Sequence, residues 1–228
     1  MQQPPLARRL FAEALGSFLL VLGVVGSGIQ AASLAPQDPL LALIANSLAT
    51  VGVLIFLIAS LGHLSGAHMN PVVSLVAWLR GALAGRDVLP YSLVQIIGAC
   101  LGAMTANLIF SLPAVNLSTH HRASLAHLFA ELIATAGLLL VIWMNNSRGA
   151  LKVGALVAAY IGAAYFFTSS TSFANPAVTI ARSLSNSFAG IAPSSILPFI
   201  GAQLLGAALG IGLLAGLGNH REGALIHD

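Results

Sequence analysis

Residues 171–183 read "TSFANPAVTIARS", and residues 65–74 read "SGAHMNPVVS". Asn175-Pro176 and Asn70-Pro71 put the same polar, helix-hostile dipeptide twice into a chain that is 57% hydrophobic and 7% charged. A lone Asn-Pro reads as an ordinary turn. Here each copy runs into a short apolar stretch, "PVVSLVAWLR" in one case and "PAVTIARSLS" in the other. Pro suits the first position of a helix, and Asn suits the cap before it. Ten helical residues rise about 15 Å, half the thickness of a bilayer core. Both stretches are therefore expected to be half-helices whose N-termini meet at mid-bilayer. Non-helical backbone at that depth is tolerated only where protein buries it or where it lines a watery cavity.

The composition sets the context for these half-helices. Soluble domains carry about a quarter charged residues, and the mean hydropathy here is +0.93. Six apolar runs, near 10–32, 40–61, 88–110, 125–145, 151–170 and 195–217, are each of a length that spans a bilayer. Short connections leave no room for a soluble domain, so residues 1–228 are read as one polytopic membrane domain. The first run is too long for a signal-peptide core and contains Glu13. The single cysteine, Cys100, excludes an intrachain disulfide. The formal net charge of +3 is scattered between spans and gives no nucleic-acid footprint. With the N-terminus inside, Arg8, Arg9, Arg80, Arg86, Arg148, Lys152 and Arg221 fall on the cytoplasmic side, against Arg122 and Arg182 outside. That asymmetry predicts a multi-pass protein of the cell inner membrane with both termini in the cytoplasm.

The chain is also written twice. "LFAE" at 10–13 returns at 128–131, and "QIIGACLGA" at 95–103 is echoed by "QLLGAALGI" at 203–211. The two Asn-Pro motifs lie between these markers in the same order. Each copy (about 8–110 and 125–217) holds three spans. An odd number turns the second copy over, which gives an inverted repeat. The expected fold is all-α, with six transmembrane helices and two re-entrant half-helices in an inverted 3+3 arrangement. Entering from opposite faces, the half-helices would enclose a midplane pore.

These residues resemble the aquaporin, or major intrinsic protein, family. "SLGHLSGAHMNPVVSL" and "FANPAVTI" look like its two signature loops, and the repeat covers nearly the whole chain. The resemblance implies a homotetramer with one pore per subunit, passively conducting water or small neutral solutes, without a cofactor. It assigns the pore motifs to Asn70-Pro71-Val72 and Asn175-Pro176-Ala177. The Asn amides would donate to a passing oxygen. Carbonyls of Gly66-Ala67-His68 and Thr171-Ser172-Phe173 would accept. Two converging helix N-termini would oppose cations.

Counting within the family pattern puts the four constriction positions at Thr50, Ala163 (or Gly162, one residue earlier), Ser172 and Val178. Water-selective relatives carry a large aromatic, a His and an Arg there, whereas this sequence offers none of them. The constriction is thus expected to be wide and to lack the fixed cation. That pattern looks most like bacterial aquaglyceroporins associated with arsenic resistance. It implies glycerol-like polyols, water, arsenous acid and methylated arsenicals as cargo. Arg182, one turn beyond Val178, reads either as a positive charge in the outer vestibule or as a lipid or inter-subunit contact.

Glu13 and Glu131 occupy equivalent positions inside spans. An intramembrane carboxylate marks proton coupling in secondary transporters. The alternative is that each supports the re-entrant loop of its own repeat, which the resemblance favours. A structural junction protein is the third class. No nucleophile–base pair points to an enzyme. His63, His68 and the pair His120-His121 lack metal-ligand spacing, with His68 the one placed to touch the pore. Gly98/Gly102 and Gly206/Gly210 suit close helix packing. Trp78, Trp143 and Tyr91 are expected at the membrane interfaces.

Overall fold

The computed structural model describes residues 4–218. Arg221 and the remainder of the polar C-terminal stretch lie outside those residues. Six long helices are α1 (Leu6–Leu34), α2 (Pro39–Ser65), α4 (Gly85–Ile109), α5 (Leu125–Asn145), α6 (Ala150–Phe167) and α8 (Ile196–Gly216). Each is long and apolar enough to cross a membrane. Two short helices, α3 (Pro71–Leu79) and α7 (Pro176–Arg182), begin at the two Asn-Pro motifs. The second half-helix is shorter than the sequence suggested, ending at Arg182, with Ser183 as its cap.

Local chemistry explains the boundaries. Asp38 caps α2 by accepting from Leu41 N at 2.9 Å, and Pro39 takes the first helical position. α2 stops at Gly66, whose φ of +90° suits a residue without Cβ. Asn70 and Asn175 cap the half-helices: Asn70 Oδ1 accepts from Val72 N, and Asn175 Oδ1 from Ala177 N and Val178 N.

Packing follows the repeat. α1 lies against α4, and α5 lies against α8. A Cβ added at Gly98 would stand 2.2 Å from Ala14 O, and one at Gly102 2.3 Å from Phe18 O. At Gly206 it would stand 2.5 Å from Leu132 O. These glycines let helix backbones approach, as the G-x-x-x-G spacing suggested. α2 packs on α6 across the repeats, and α7 packs mainly on α4 of the other repeat.

The outer faces of the spans expose Phe11, Leu48, Phe56, Leu93, Ile97, Leu101, Phe129 and Leu205. That apolar coat matches lipid, and the chain is a multi-pass membrane protein. Trp78 is exposed, but Tyr91 and Trp143 are buried, so neither of those two is an interfacial anchor. Tyr91 turns inward because its hydroxyl donates to Ser65 O at 3.1 Å, at the end of α2. Trp143 lines the central cavity.

One side of the molecule, on which α1 begins, is the near side; the other is the far side. On the far side the α4–α5 and α7–α8 connections are stitched together. Asn116 N donates to Leu184 O and Ser118 N to Ser183 O, both at 2.9 Å. Arg122 Nε donates to Gly190 O at 2.8 Å. These bonds clamp the segment that follows α7.

Candidate functional site

The two Asn-Pro loops meet head to head in the middle of the bundle. Asn70 Nδ2 donates to Ala174 O and Asn175 Nδ2 donates to Met69 O, each at 2.8 Å. Each amide thus uses one of its two N–H donors to bind the loop of the opposite repeat and keeps the second. The loops hold non-glycine residues at positive φ in a matching pattern: Ala67 (48°) and Met69 (47°) in one, Ser172 (51°) and Ala174 (47°) in the other. Such conformations cost of order 1–3 kcal/mol each and persist where surroundings enforce them.

The enforcement comes from the carboxylates. Glu13 is fully buried and accepts from His68 N (2.9 Å), Met69 N (2.6 Å), Ser65 Oγ (2.6 Å) and Gln95 Nε2 (2.7 Å). Glu131, equally buried, accepts from Phe173 N and Ala174 N at 2.8 Å and from Gln203 Nε2 at 2.7 Å. Gln95 Nε2 also reaches Ser74 Oγ (3.0 Å), and Gln203 Nε2 reaches Thr179 Oγ1 (2.9 Å), so each glutamine ties loop to half-helix. The sequence signalled Gln95 and Gln203 as the first letters of the repeated Q-x-x-G pattern, though only as repeat markers.

A cavity of about 620 Å³ runs along these loops. Its near end is lined by His63, Asn146, Ser147 and Ala150, and its flanks by Leu54, Ile58, Leu138, Ile142 and Val157. Asn70, Asn175, Gly66, Ala67, His68, Met69, Ser172 and Phe173 all face it. Pro71, Val72, Thr171, Pro176 and Ala177 do not line it; Val72 and Ala177 are buried where the half-helices pack. His68 is half-buried, with Nδ1 at 3.1 Å from Ser74 Oγ and its ring beside Tyr91. Among the described residues no three His, Cys, Asp or Glu side chains stand together as a metal site.

The far end of the cavity corrects the sequence reading. Thr50, Ser172 and Val178 line it, but Ala163 does not. Ala163 is exposed on the outside of α6, and Gly162 faces α2, its carbonyl accepting from Ser47 Oγ at 3.2 Å. Beyond Ala150 at its start, α6 faces the cavity with Val153, Val157, Ile161 and Tyr165, four residues apart as one helical face requires. Counting from Asn175 misplaced the position because the non-helical segment 168–174, longer than segment 66–69 of the first repeat, parts α6 from the motif, and helical phase does not carry across it. The expectation of four small walls therefore fails at one side, which holds an aromatic ring.

Of the two readings of Arg182, the lipid or inter-subunit contact fails. It is 2% exposed, touching neither lipid nor a neighbouring surface, and it lines the cavity. Its Nε donates to Ala189 O, and its Cζ lies 3.5 Å from the Phe173 ring centroid. Val178 was correctly read as non-cationic, yet a guanidinium stands one turn beyond it.

The sequence pattern of the family described as Major intrinsic protein matches residues 1–174. The chain is 47% identical to aquaglyceroporin AqpS of Rhizobium meliloti (strain 1021) over 214 residues, covering 94% of this chain and 91% of that one. The chain belongs to the major intrinsic protein family. It is 36% identical to aquaporin Z of Photorhabdus laumondii subsp. laumondii over 104 residues, which span 46% of this chain and 44% of that one. The fold matches the X-ray structure of the aquaglyceroporin from Plasmodium falciparum with a TM-score of 0.69 at 22% identity, covering 94% and 96% of the two chains. As a member of this family the protein is a passive membrane channel and not an enzyme. The second Asn-Pro motif falls just past the matched residues, and its symmetry with the first completes the family's inverted repeat.

Proposed function

We propose that this channel passes neutral hydroxylated solutes larger than water, with glycerol-like polyols as the principal class and water and arsenous acid as further cargo. The observation that carries the reading is Val178 at the far end of a cavity that touches both Asn-Pro loops. At that position a short apolar side chain leaves room that a long cationic one would fill. The similarity to a protein named aquaglyceroporin supports the same solute class. Tyr165 supplies an aromatic wall against which a carbon skeleton can slide while its hydroxyls face polar groups.

Within this reading each residue has a role. Asn70 and Asn175 offer their second amide N–H to the solute at the midplane. Carbonyls of Gly66, Ala67, His68 and Ser172 accept from its hydroxyls. Glu13 and Glu131 hold the loops and carry no protons across, since every acceptor oxygen already binds loop or glutamine donors. A transporter carboxylate needs to change partners during turnover; these two are locked. The near side is the cytoplasm of an inner-membrane protein, with both termini there, because the basic residues between spans gather on it. Four copies associate through their apolar outer faces, with lipid around the assembly and no nucleic-acid partner.

A stopped-flow panel on proteoliposomes tests the solute class. Glycerol, urea and arsenous acid are each expected to equilibrate faster than in protein-free vesicles, with methylarsonous acid probing the upper size. A channel that conducts water and excludes all three solutes would overturn the proposal.

A further inference from the structure

The far end of the cavity contains a cation that family counting does not assign. Arg182 ends α7 and is buried inside the protein, yet the cavity reaches it. Its position is fixed from two directions: Nε donates to Ala189 O, and the guanidinium lies over Phe173. The same Phe173 ring has Arg122 Cζ at 5.5 Å and packs edge-to-face with Phe199, their centroids 5.3 Å apart, so the platform is itself held. Arg122 in turn is anchored to Gly190 O and Phe188 O, in the segment that carries Ala189.

Among the described residues Arg182 has no carboxylate within ion-pair distance. Among those residues its only hydrogen-bond partner is Ala189 O, reached through Nε. The two terminal nitrogens, each bearing two N–H groups, are left for whatever occupies the cavity. Ser172 lines the same cavity, is 4% exposed, and its hydroxyl has no hydrogen-bond partner. A buried guanidinium and a buried hydroxyl without acceptors are costly unless a ligand or water completes them.

We infer that Arg182 is the specificity-determining cation of this channel's far constriction, supplied from one turn beyond Val178 and selecting solutes that present two oxygens to one guanidinium. The inference rests on the reading of the channel as a polyol conductor. A planar fork with parallel donors matches the neighbouring hydroxyls of a vicinal diol better than solutes with a single oxygen. Placing it beyond Val178 separates two tasks that one Arg at 178 would combine. Width is set by Val178 together with Tyr165, while oxygen recognition is set by Arg182. The fork replaces part of the hydration that a polyol sheds on entering, which lowers its barrier, whereas water loses little when the fork is removed.

The test compares wild type, Arg182→Met and Arg182→Lys in proteoliposomes, scored as glycerol permeability relative to water at matched channel density. Removing the fork is expected to lower the ratio about tenfold, the size of one lost charged hydrogen bond. Arg182→Lys, which keeps charge and stem, is expected to fall nearly as far, because an ammonium is not bidentate. Urea, with one oxygen, is expected to lose little in either variant. An unchanged glycerol-to-water ratio in Arg182→Met overturns the inference, as does full glycerol conduction by Arg182→Lys. If Arg182→Met does not fold, the lysine variant decides alone. A wild type that conducts water but no glycerol defeats the underlying functional reading, a result distinct from either variant outcome.

Discussion

Tyr165 Oη lies 3.0 Å from Thr50 Oγ1, joining α6 to α2 where the cavity reaches its far end. Thr50 Oγ1 also donates to Asn46 O at 2.9 Å, so the shared proton in the Thr–Tyr contact comes from the tyrosine. The phenol is thereby held as a fixed wall of the constriction. A width estimated from Ala163 is therefore too generous, and on the proposed reading the aperture at this level depends on Tyr165 and Val178 together.

Tyr165→Phe removes the hydrogen bond and keeps the ring. It is expected to cost about 1 kcal/mol of stability and to leave glycerol permeability nearly unchanged. Tyr165→Ala removes the wall and is expected to admit polyols larger than glycerol, such as erythritol. Melting curves in detergent and a polyol size series in proteoliposomes check both. An alanine variant with the wild-type size limit would show that Tyr165 does not bound the aperture.

Val178→Arg places a second guanidinium beside Arg182. Steric narrowing and like-charge crowding act together, so glycerol flux is expected to fall by about tenfold, equivalent to 1.4 kcal/mol on the barrier. Water flux is expected to fall less. Equal loss of both at unchanged protein abundance would point to misfolding and contradict the placement of Val178 at the constriction.

Glu13→Gln and Glu131→Gln each force an amide –NH2 against a backbone N–H of a re-entrant loop. Leaving a buried donor unmatched costs about 1–3 kcal/mol. The yield of folded protein is expected to drop, while flux per folded channel keeps the wild-type response to pH. Loss of a pH-driven solute accumulation present in wild type would instead identify these carboxylates as proton carriers.

Gly98→Ala brings a Cβ within 2.2 Å of Ala14 O, whereas at Gly212 a Cβ meets nothing within 4 Å. The first is expected to destabilise by about 1–3 kcal/mol through overpacking, and Gly212→Ala to be neutral. Thermal unfolding of the two variants side by side checks this. Equal stability would mean that α1 and α4 do not meet as described.

The fold was legible because its signals are one-dimensional. Apolar length, the repeated LFAE and Q-x-x-G markers and the two Asn-Pro dipeptides each survive without knowledge of packing. Glu13 and Glu131 were legible as a symmetric pair, since a carboxylate in a span needs a reason to be there. The constriction was only partly legible. Val178 sits on the half-helix itself, and only the short non-helical segment 66–69 parts Thr50's helix from Asn70, whereas the longer segment 168–174 parts α6 from Asn175, and there counting loses the face. Arg182 was ambiguous for a different reason. Its burial depends on the Phe173 ring and on Ala189, seven residues later in a loop, and no local pattern encodes that meeting. Tyr91 and Trp143 misled because amphipathic aromatics at span ends suit both interface and interior, and only the partner decides.

The central claim is passive conduction of neutral polyols, and labelled glycerol uptake into proteoliposomes under an imposed proton gradient tests it most directly. The account predicts uptake faster than in protein-free vesicles, ending at equal concentration inside and outside whatever the direction of the gradient. Uptake no faster than in protein-free vesicles, or accumulation above the external concentration driven by the gradient, would contradict it.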